Sequence, residues 1–353
     1  MLQTYTQIDH KLDKWQRYVD HLVREVWKNA PDTTEFHSSL FSDDEDLEKF
    51  IQKCGFNSKA TMPQKQFYQD VKSIYEKCVY LTTVELEAIV AWYESNRDVE
   101  LLCNDATLLP NQTNTIPKKI RPLVAQIIAF FKSLWNEKLL GRKNLQDYYT
   151  KFIEENNPAK CHFCGLTDMT TLLGLREDFD HYLPKSKFPT NAVNFRNLVP
   201  TCHHCNSKFK VAKNPLLNAS GTRSEVLYPY SAKQLSPKVE VNIEGFERGC
   251  RVKGVSVSLI SDSEEELDTW RWLYGITSRY EEKCSSKDAK EWLEHARLMH
   301  ETYSLTLADQ NKVLEKNMKK LGALANCNFL KFALLKECEN KGLFMKITKR
   351  ETP

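Results

Sequence analysis

Apolar residues recur at steps of three and four along the start of the chain, where Ile8, Leu12, Trp15, Tyr18, Leu22 and Val26 form one stripe. That spacing follows the helical turn and predicts an amphipathic helix. The acidic run 42–48 reads as a loop leading into a helix start. Helical periodicity returns at 64–78, at 84–96, and at 120–140 through Ile120, Leu123, Ile127, Ile128, Phe131 and Leu134. Pro110 and Pro117 mark an exposed connection between these segments. Residues 1–157 therefore read as a helical N-terminal domain.

From 159 to 215 the pattern changes to short turns rich in Cys, Pro, Asn and β-branched residues. Residues 239–260 then alternate apolar and polar positions around Glu244-Gly245, which predicts a strand hairpin. Helical periodicity resumes at 264–284, 287–304 and 308–338, and GLFMKITKR reads as a closing strand. The expected class is α+β, mainly helical, with a distinct module at 158–215 and a hairpin plus helical region at 216–353. No internal repeat or low-complexity tract interrupts this plan.

At 353 residues, the chain is longer than one core usually supports. With 41% hydrophobic and 27% charged residues it should fold rather than remain extended. No run approaches the length of an apolar membrane span, and the first residues lack the basic start and apolar stretch of a signal peptide. The expectation is a cytoplasmic protein without a membrane partner. A net charge of +3 identifies no ligand, but residues 181–224 carry seven Lys or Arg and no Asp or Glu, a local basic patch.

Seven of the eleven cysteines (Cys54, Cys78, Cys103, Cys250, Cys284, Cys327 and Cys338) lie in helix-like segments without a spacing pattern and read as reduced thiols. The other four, Cys161, Cys164, Cys202 and Cys205, form two CxxC pairs separated by 37 residues. Two intervening residues let both sulfurs of a pair turn toward one point, and two such pairs supply the four soft ligands of structural Zn²⁺. The distance between them leaves room for an insert, and the distinctive residues lie inside it.

That insert contains Asp180-His181, then Asn197-Leu198, and the second knuckle is followed at once by Asn206. Phosphodiester hydrolysis needs a base for water and a cation near the leaving oxygen. His181 has the side-chain chemistry of the base, and Asp180 and Asn206 offer hard oxygens suited to Mg²⁺ or Mn²⁺. Taken singly, each has an ordinary reading: a surface pair, a turn cap at Asn197, a helix N-cap at Asn206.

Taken in order from Cys161 to Lys210, about 50 residues, the combination resembles the HNH (ββα-metal) nuclease family. The resemblance implies a zinc-stapled ββα module in which His181 is the general base, Asp180 and Asn206 hold the catalytic ion, and Asn197 braces the loop against the strand bearing the base. It also implies hydrolysis of DNA and, by association with stand-alone family members of this size, restriction or anti-phage defence. Lys185, Lys187, Lys208 and Lys210 flank this centre and are expected to contact phosphates without reading sequence. His203 and His204 read as residues flanking the zinc knuckle. The rival readings are a zinc-containing nucleic-acid-binding module without catalysis, an RNase using the same site, and a structural protein stapled for a protein partner or activator.

Overall fold

The computed structural model describes residues 3–33, 35–169, 176–247 and 251–342. The chain is mainly helical, with two small antiparallel sheets among the described residues. All six residues of the first apolar stripe are buried. They lie before and within one continuous rod whose turns differ in pitch: a 3₁₀ turn at Lys11–Asp13, an α-helix at Lys14–His21 and a π-helical stretch at Leu22–Trp27. The wider last turns bury Val23 and Trp27 beside Leu22 and Val26.

Local signals set the next helix starts. Asp44 accepts a hydrogen bond from Leu47 N and caps Glu45–Phe56. Thr61 with Gln64 and Thr82 with Glu85 form reciprocal capping boxes on Met62–Cys78 and Thr83–Arg97, satisfying donors that the helices leave unpaired.

The periodic segment 120–140 is not one helix. Arg121–Leu134 stops at Trp135, and Asn136 accepts from Lys138 N to start a separate turn at Glu137–Leu140. Side-chain capping by Asn136 competes with helix continuation and turns Trp135 out of the helical register. The helix Arg142–Asn156 then leads to the first cysteine knuckle.

Two short strands, β1 (Phe179–His181) and β2 (Leu198–Pro200), pair antiparallel, with Asp180 opposite Val199 and His181 opposite Leu198. A π-helical segment, His204–Lys210, follows β2. The hairpin strands are β3 (Lys238–Glu247) and β4 (Arg251–Ile260). Glu244 and Gly245 lie within β3 and not at the turn the alternation suggested. The alternation runs on past them because Gly254 in β4, at φ +60°, absorbs the local irregularity opposite Glu244.

The later helical stretches are also divided at left-handed residues. Gly275 separates Glu264–Tyr274 from Ile276–Ser285, and Gly322, Asn326 and Cys327 separate Leu307–Leu321 from Asn328–Asn340. The helix Lys287–Tyr303 is unbroken. The closing strand expected from Leu343 onward, and Cys250, lie outside the described residues. The other six scattered cysteines are free and buried. Buried apolar side chains form one cluster running from Tyr5 to Cys338. No helix among the described residues is long and apolar enough to cross a membrane.

Gly275 shows how tightly one of these breaks is packed. It has φ +59°, and a Cβ there would stand 2.6 Å from the Phe209 ring. Gly275→Ala is expected to destabilise the chain by about 2–4 kcal/mol, combining a left-handed backbone with overpacking. Gly322→Ala has open space around it and should cost about 1–3 kcal/mol through its backbone alone, since φ +88° with ψ 146° suits glycine. Chemical denaturation of the two variants checks the order; equal losses would show that Phe209 moves aside freely.

Candidate metal centre and its neighbouring acid-histidine pair

In the first knuckle, Cys164 N and Gly165 N both donate to Cys161 O, at 3.2 and 2.7 Å, and Gly165 takes φ +66° to close the turn. Its partner knuckle opens the helix His204–Lys210, where Asn206 N donates to Cys202 O at 3.0 Å. The four sulfurs converge within 4.8 Å of one another and all four cysteines are buried. Across the knuckles Cys161 and Cys205 are 3.9 Å apart, and Cys164 and Cys202 4.0 Å. Zn–S bonds of about 2.3 Å in a tetrahedron place sulfurs roughly 3.8 Å apart, so the set fits a metal ion such as zinc and no disulfide.

Charge from elsewhere in the chain meets this cluster. Arg279, buried on the helix Ile276–Ser285, donates from Nη1 to Cys205 Sγ at 3.3 Å and to Tyr274 O at 3.2 Å. Burial opposes the charge of its guanidinium, but Cys205 and Cys164 hold its pKa above the ordinary range. The same guanidinium lies over the Phe209 ring, 4.6 Å from its centre, and so grips the helix that carries Asn206 and Lys210. Tyr280 OH donates to Cys164 O, and Trp270 Nε1 to Phe163 O. These contacts satisfy carbonyls of the first knuckle that burial would otherwise leave unpaired.

Strand alternation separates the two functional candidates on β1. Phe179 and His181 face Trp135, whose ring meets theirs edge-on at 6.1 and 4.9 Å. Asp180 points the other way. His181 is half-buried, and its Nε2 is hydrogen-bonded to Ala192 O at 2.9 Å. A carbonyl can only accept, so Nε2 carries the proton and Nδ1 holds the lone pair. Among the described residues Nδ1 has no partner. Burial pushes the pKa of His181 down to about 3, with Lys185 and Lys210 adding to the fall and the Ala192 bond opposing it. The ring is therefore neutral at pH 7 and available as a base.

Asn197 is fully buried and ties three pieces together. Its Oδ1 accepts from Leu183 N at 2.7 Å, and its Nδ2 donates to Leu183 O at 3.0 Å and to Asn191 O at 3.3 Å. Its backbone oxygen accepts from Tyr182 N at 2.8 Å. The loop that supplies Ala192 O is thus fixed to the end of β1, and the orientation of His181 follows.

On the opposite face, Asp180 is 3% exposed and Lys210 is fully buried, with Nζ 2.8 Å from Asp180 Oδ1 and 2.8 Å from His181 O. Burial raises the pKa of Asp180, and the ammonium opposes that rise. Asp180 Oδ2 is buried and has no hydrogen-bond partner among the described residues. Asn206 lies four residues before Lys210 on the same short π-helical segment, with its backbone N–H bonded to Cys202 O.

The expectation that Lys210 contacts phosphate is corrected by this geometry. A side chain with no exposed surface cannot meet a ligand from solution, and its charge is spent on Asp180. Lys187 and Lys208 are exposed and Lys185 is half-buried, so burial does not bar these three from a ligand in solution. His203 and His204 are exposed beside the knuckle and belong to no described metal-ligand group. Trp135 and Arg279 escaped the motif reading. Trp135 carried one signal, the capping Asn after it, whereas Arg279 lies 74 residues from Cys205 and carried none.

No protein family model matches the chain, and no solved structure matches it. A stretch of 112 residues is 41% identical to the Septu protein PtuB of Bacillus thuringiensis, covering 31% of this chain and 39% of that protein. The chain thus matches about two fifths of the length of its curated relative.

Proposed function

We propose that this chain is a metal-dependent endonuclease of the HNH (ββα-metal) type that hydrolyses DNA in anti-phage defence. The observation that carries the reading is the pair on β1: a neutral His181 locked by Nε2 with Nδ1 open, beside Asp180 with a buried oxygen that lacks a partner among the described residues. A buried acceptor left unpaired is costly, and a hard cation is the ligand that suits a carboxylate oxygen. The order of two paired strands and a helix closing on a four-cysteine cluster supports the same reading. The defence role rests on the likeness to the Septu protein.

In this reading Cys161, Cys164, Cys202 and Cys205 hold Zn²⁺, which supplies a crosslink between the knuckles. Asp180 and Asn206 would hold Mg²⁺ or Mn²⁺, which when bound would supply positive charge toward the leaving oxygen. His181 Nδ1 takes the proton of the attacking water. Ala192 O and Asn197 keep the imidazole in the tautomer that leaves Nδ1 open. Trp135 walls one edge of the ring and keeps bulk water from it. Lys185, Lys187 and Lys208 hold the backbone of the nucleic acid, with base identity left unread.

Incubation of the purified chain with supercoiled plasmid, single-stranded DNA and RNA, across Mg²⁺, Mn²⁺, Ni²⁺ and EDTA, tests the activity and its substrate. His181→Ala should lower cleavage by about 10²–10⁴-fold, the usual contribution of a general base, with zinc content and melting unchanged. Cleavage at the wild-type rate would remove His181 from the mechanism.

Cys202→Ser should behave differently, since binding energy at a structural zinc site, on the order of 10 kcal/mol, is also folding energy. Elemental analysis should find one zinc per wild-type chain and little in the variant, with early unfolding. Absence of zinc from the wild-type chain ends this assignment.

For the lysines, the measurement is the salt dependence of duplex binding in the His181→Ala background. Replacing Lys185, Lys187 and Lys208 by Gln should reduce the slope of log affinity against log salt by up to about 0.9 per lost contact, equally for all sequences. An unchanged slope places the path of the DNA elsewhere on the molecule.

A further inference from the structure

The helix His204–Lys210 ends by turning a full positive charge inward. Lys210 Nζ lies 2.8 Å from Asp180 Oδ1 and 2.8 Å from His181 O, and no part of the side chain reaches solvent. The turn that follows is strained. Val211 adopts φ +50° and ψ −109°, which a β-branched residue avoids, although 60% of its surface is exposed and its packing gives little in return.

Neighbouring bonds hold that turn. Val211 N donates to Asn206 O at 2.9 Å, Lys213 N to Lys210 O at 2.8 Å, and Lys213 Nζ to Trp272 O at 2.8 Å. The chain is thus tied down on both sides of Lys210 in the conformation that keeps its ammonium inside. An ion pair this deep is not explained by stability alone, because apolar residues of similar volume often serve as well.

The two oxygens of Asp180 are unequal as a result. Oδ1 is held by the ammonium, and Oδ2 is buried without a partner among the described residues. A divalent ion at Oδ2 would share one carboxylate with a resident cation that cannot leave by simple rotation into solvent. Like charges repel strongly where burial limits screening. The negative charge that restores balance has to come with the substrate, and nucleic-acid phosphates bring it.

We propose that Lys210 is a positioning residue that competes with the divalent ion for Asp180, so that the ion is held firmly only together with a polyanionic backbone. This rests on the nuclease reading. Its consequence is reciprocal: nucleic acid tightens the ion by the factor by which the ion tightens nucleic acid. Free divalent ion alone then leaves the centre largely unarmed.

The test uses the full, zinc-loaded chain with His181→Ala in every sample, so that substrate stays intact. Mn²⁺ is titrated by electron paramagnetic resonance with and without a short duplex. Three further substitutions are compared: Lys210→Met, which removes charge and hydrogen bonds; Lys210→Gln, which removes charge but keeps donors; and Asp180→Asn. Both Lys210 variants should bind Mn²⁺ about tenfold tighter in the absence of DNA, and the tightening produced by DNA should shrink by the same factor. Lys210 variants with parental zinc content and melting that bind Mn²⁺ no tighter than the parent overturn the proposal.

A second measurement needs no Lys210 variant. Duplex affinity of the parent should rise on adding Mn²⁺ by the same factor as the reverse experiment shows, and equal affinities in the two buffers also overturn the proposal. Failure of the nuclease reading looks different: no Mn²⁺ binding to the parent under either condition, or Mn²⁺ binding that survives Asp180→Asn.

Discussion

Four sulfurs that must reach one point are the constraint on which the rest of the central region depends. The knuckles at Cys161–Cys164 and Cys202–Cys205 are 37 residues apart in the chain, yet their sulfurs lie within 4.8 Å of one another. Everything between them is a loop closed by this cluster, including β1, the turn that supplies Ala192 O, and β2. Closing such a loop removes conformational freedom before any side chain of the insert has packed. With a metal ion bound, four converging thiolates would carry concentrated negative charge, and the buried Arg279 lies against Cys205 from a helix far along the sequence. The cluster is therefore a junction of the knuckles and of the C-terminal helices together.

From that junction the acid-histidine pair acquires two unlike surroundings. His181 is held by a carbonyl beside the edge of an indole, and burial keeps its ring neutral against the pull of that carbonyl. Asp180, one residue earlier, turns by strand alternation toward an ammonium. Adjacent residues thus have opposite electrostatic settings, which a two-residue period provides without any bend in the backbone. Asn197 holds the arrangement by saturating its side-chain amide on the loop and the strand end.

Much of this was legible in the sequence because its signals are local. The CxxC spacing pointed to four converging ligands, the first apolar stripe to a buried helical rod, and 239–260 to a hairpin. What stayed hidden depends on direction and distance. A sequence shows that Lys210 is charged but not that the strained turn at Val211 aims it inward, so it was grouped with the exposed Lys187 and Lys208. Trp135 lay inside what periodicity presents as one helix, since the hydrophobic pattern continues across the Asn136 cap that breaks it. Glu244-Gly245 looked like a turn because glycine usually marks one, whereas here the irregularity is absorbed across the ladder at Gly254. Arg279 belongs to the cluster only through tertiary packing.

The position of Trp135 bears on how freely such a centre could be moved between proteins. Its indole comes from the N-terminal helices, Arg279 and Tyr280 come from the C-terminal ones, and both sets touch the residues between Cys161 and Lys210. A fragment cut at 158 and 215 would keep every motif residue while losing the wall beside the imidazole and the countercharge beside the sulfurs. For this chain, grafting the motif onto a foreign scaffold would transfer the recognisable letters and leave behind part of the environment that gives them their chemistry.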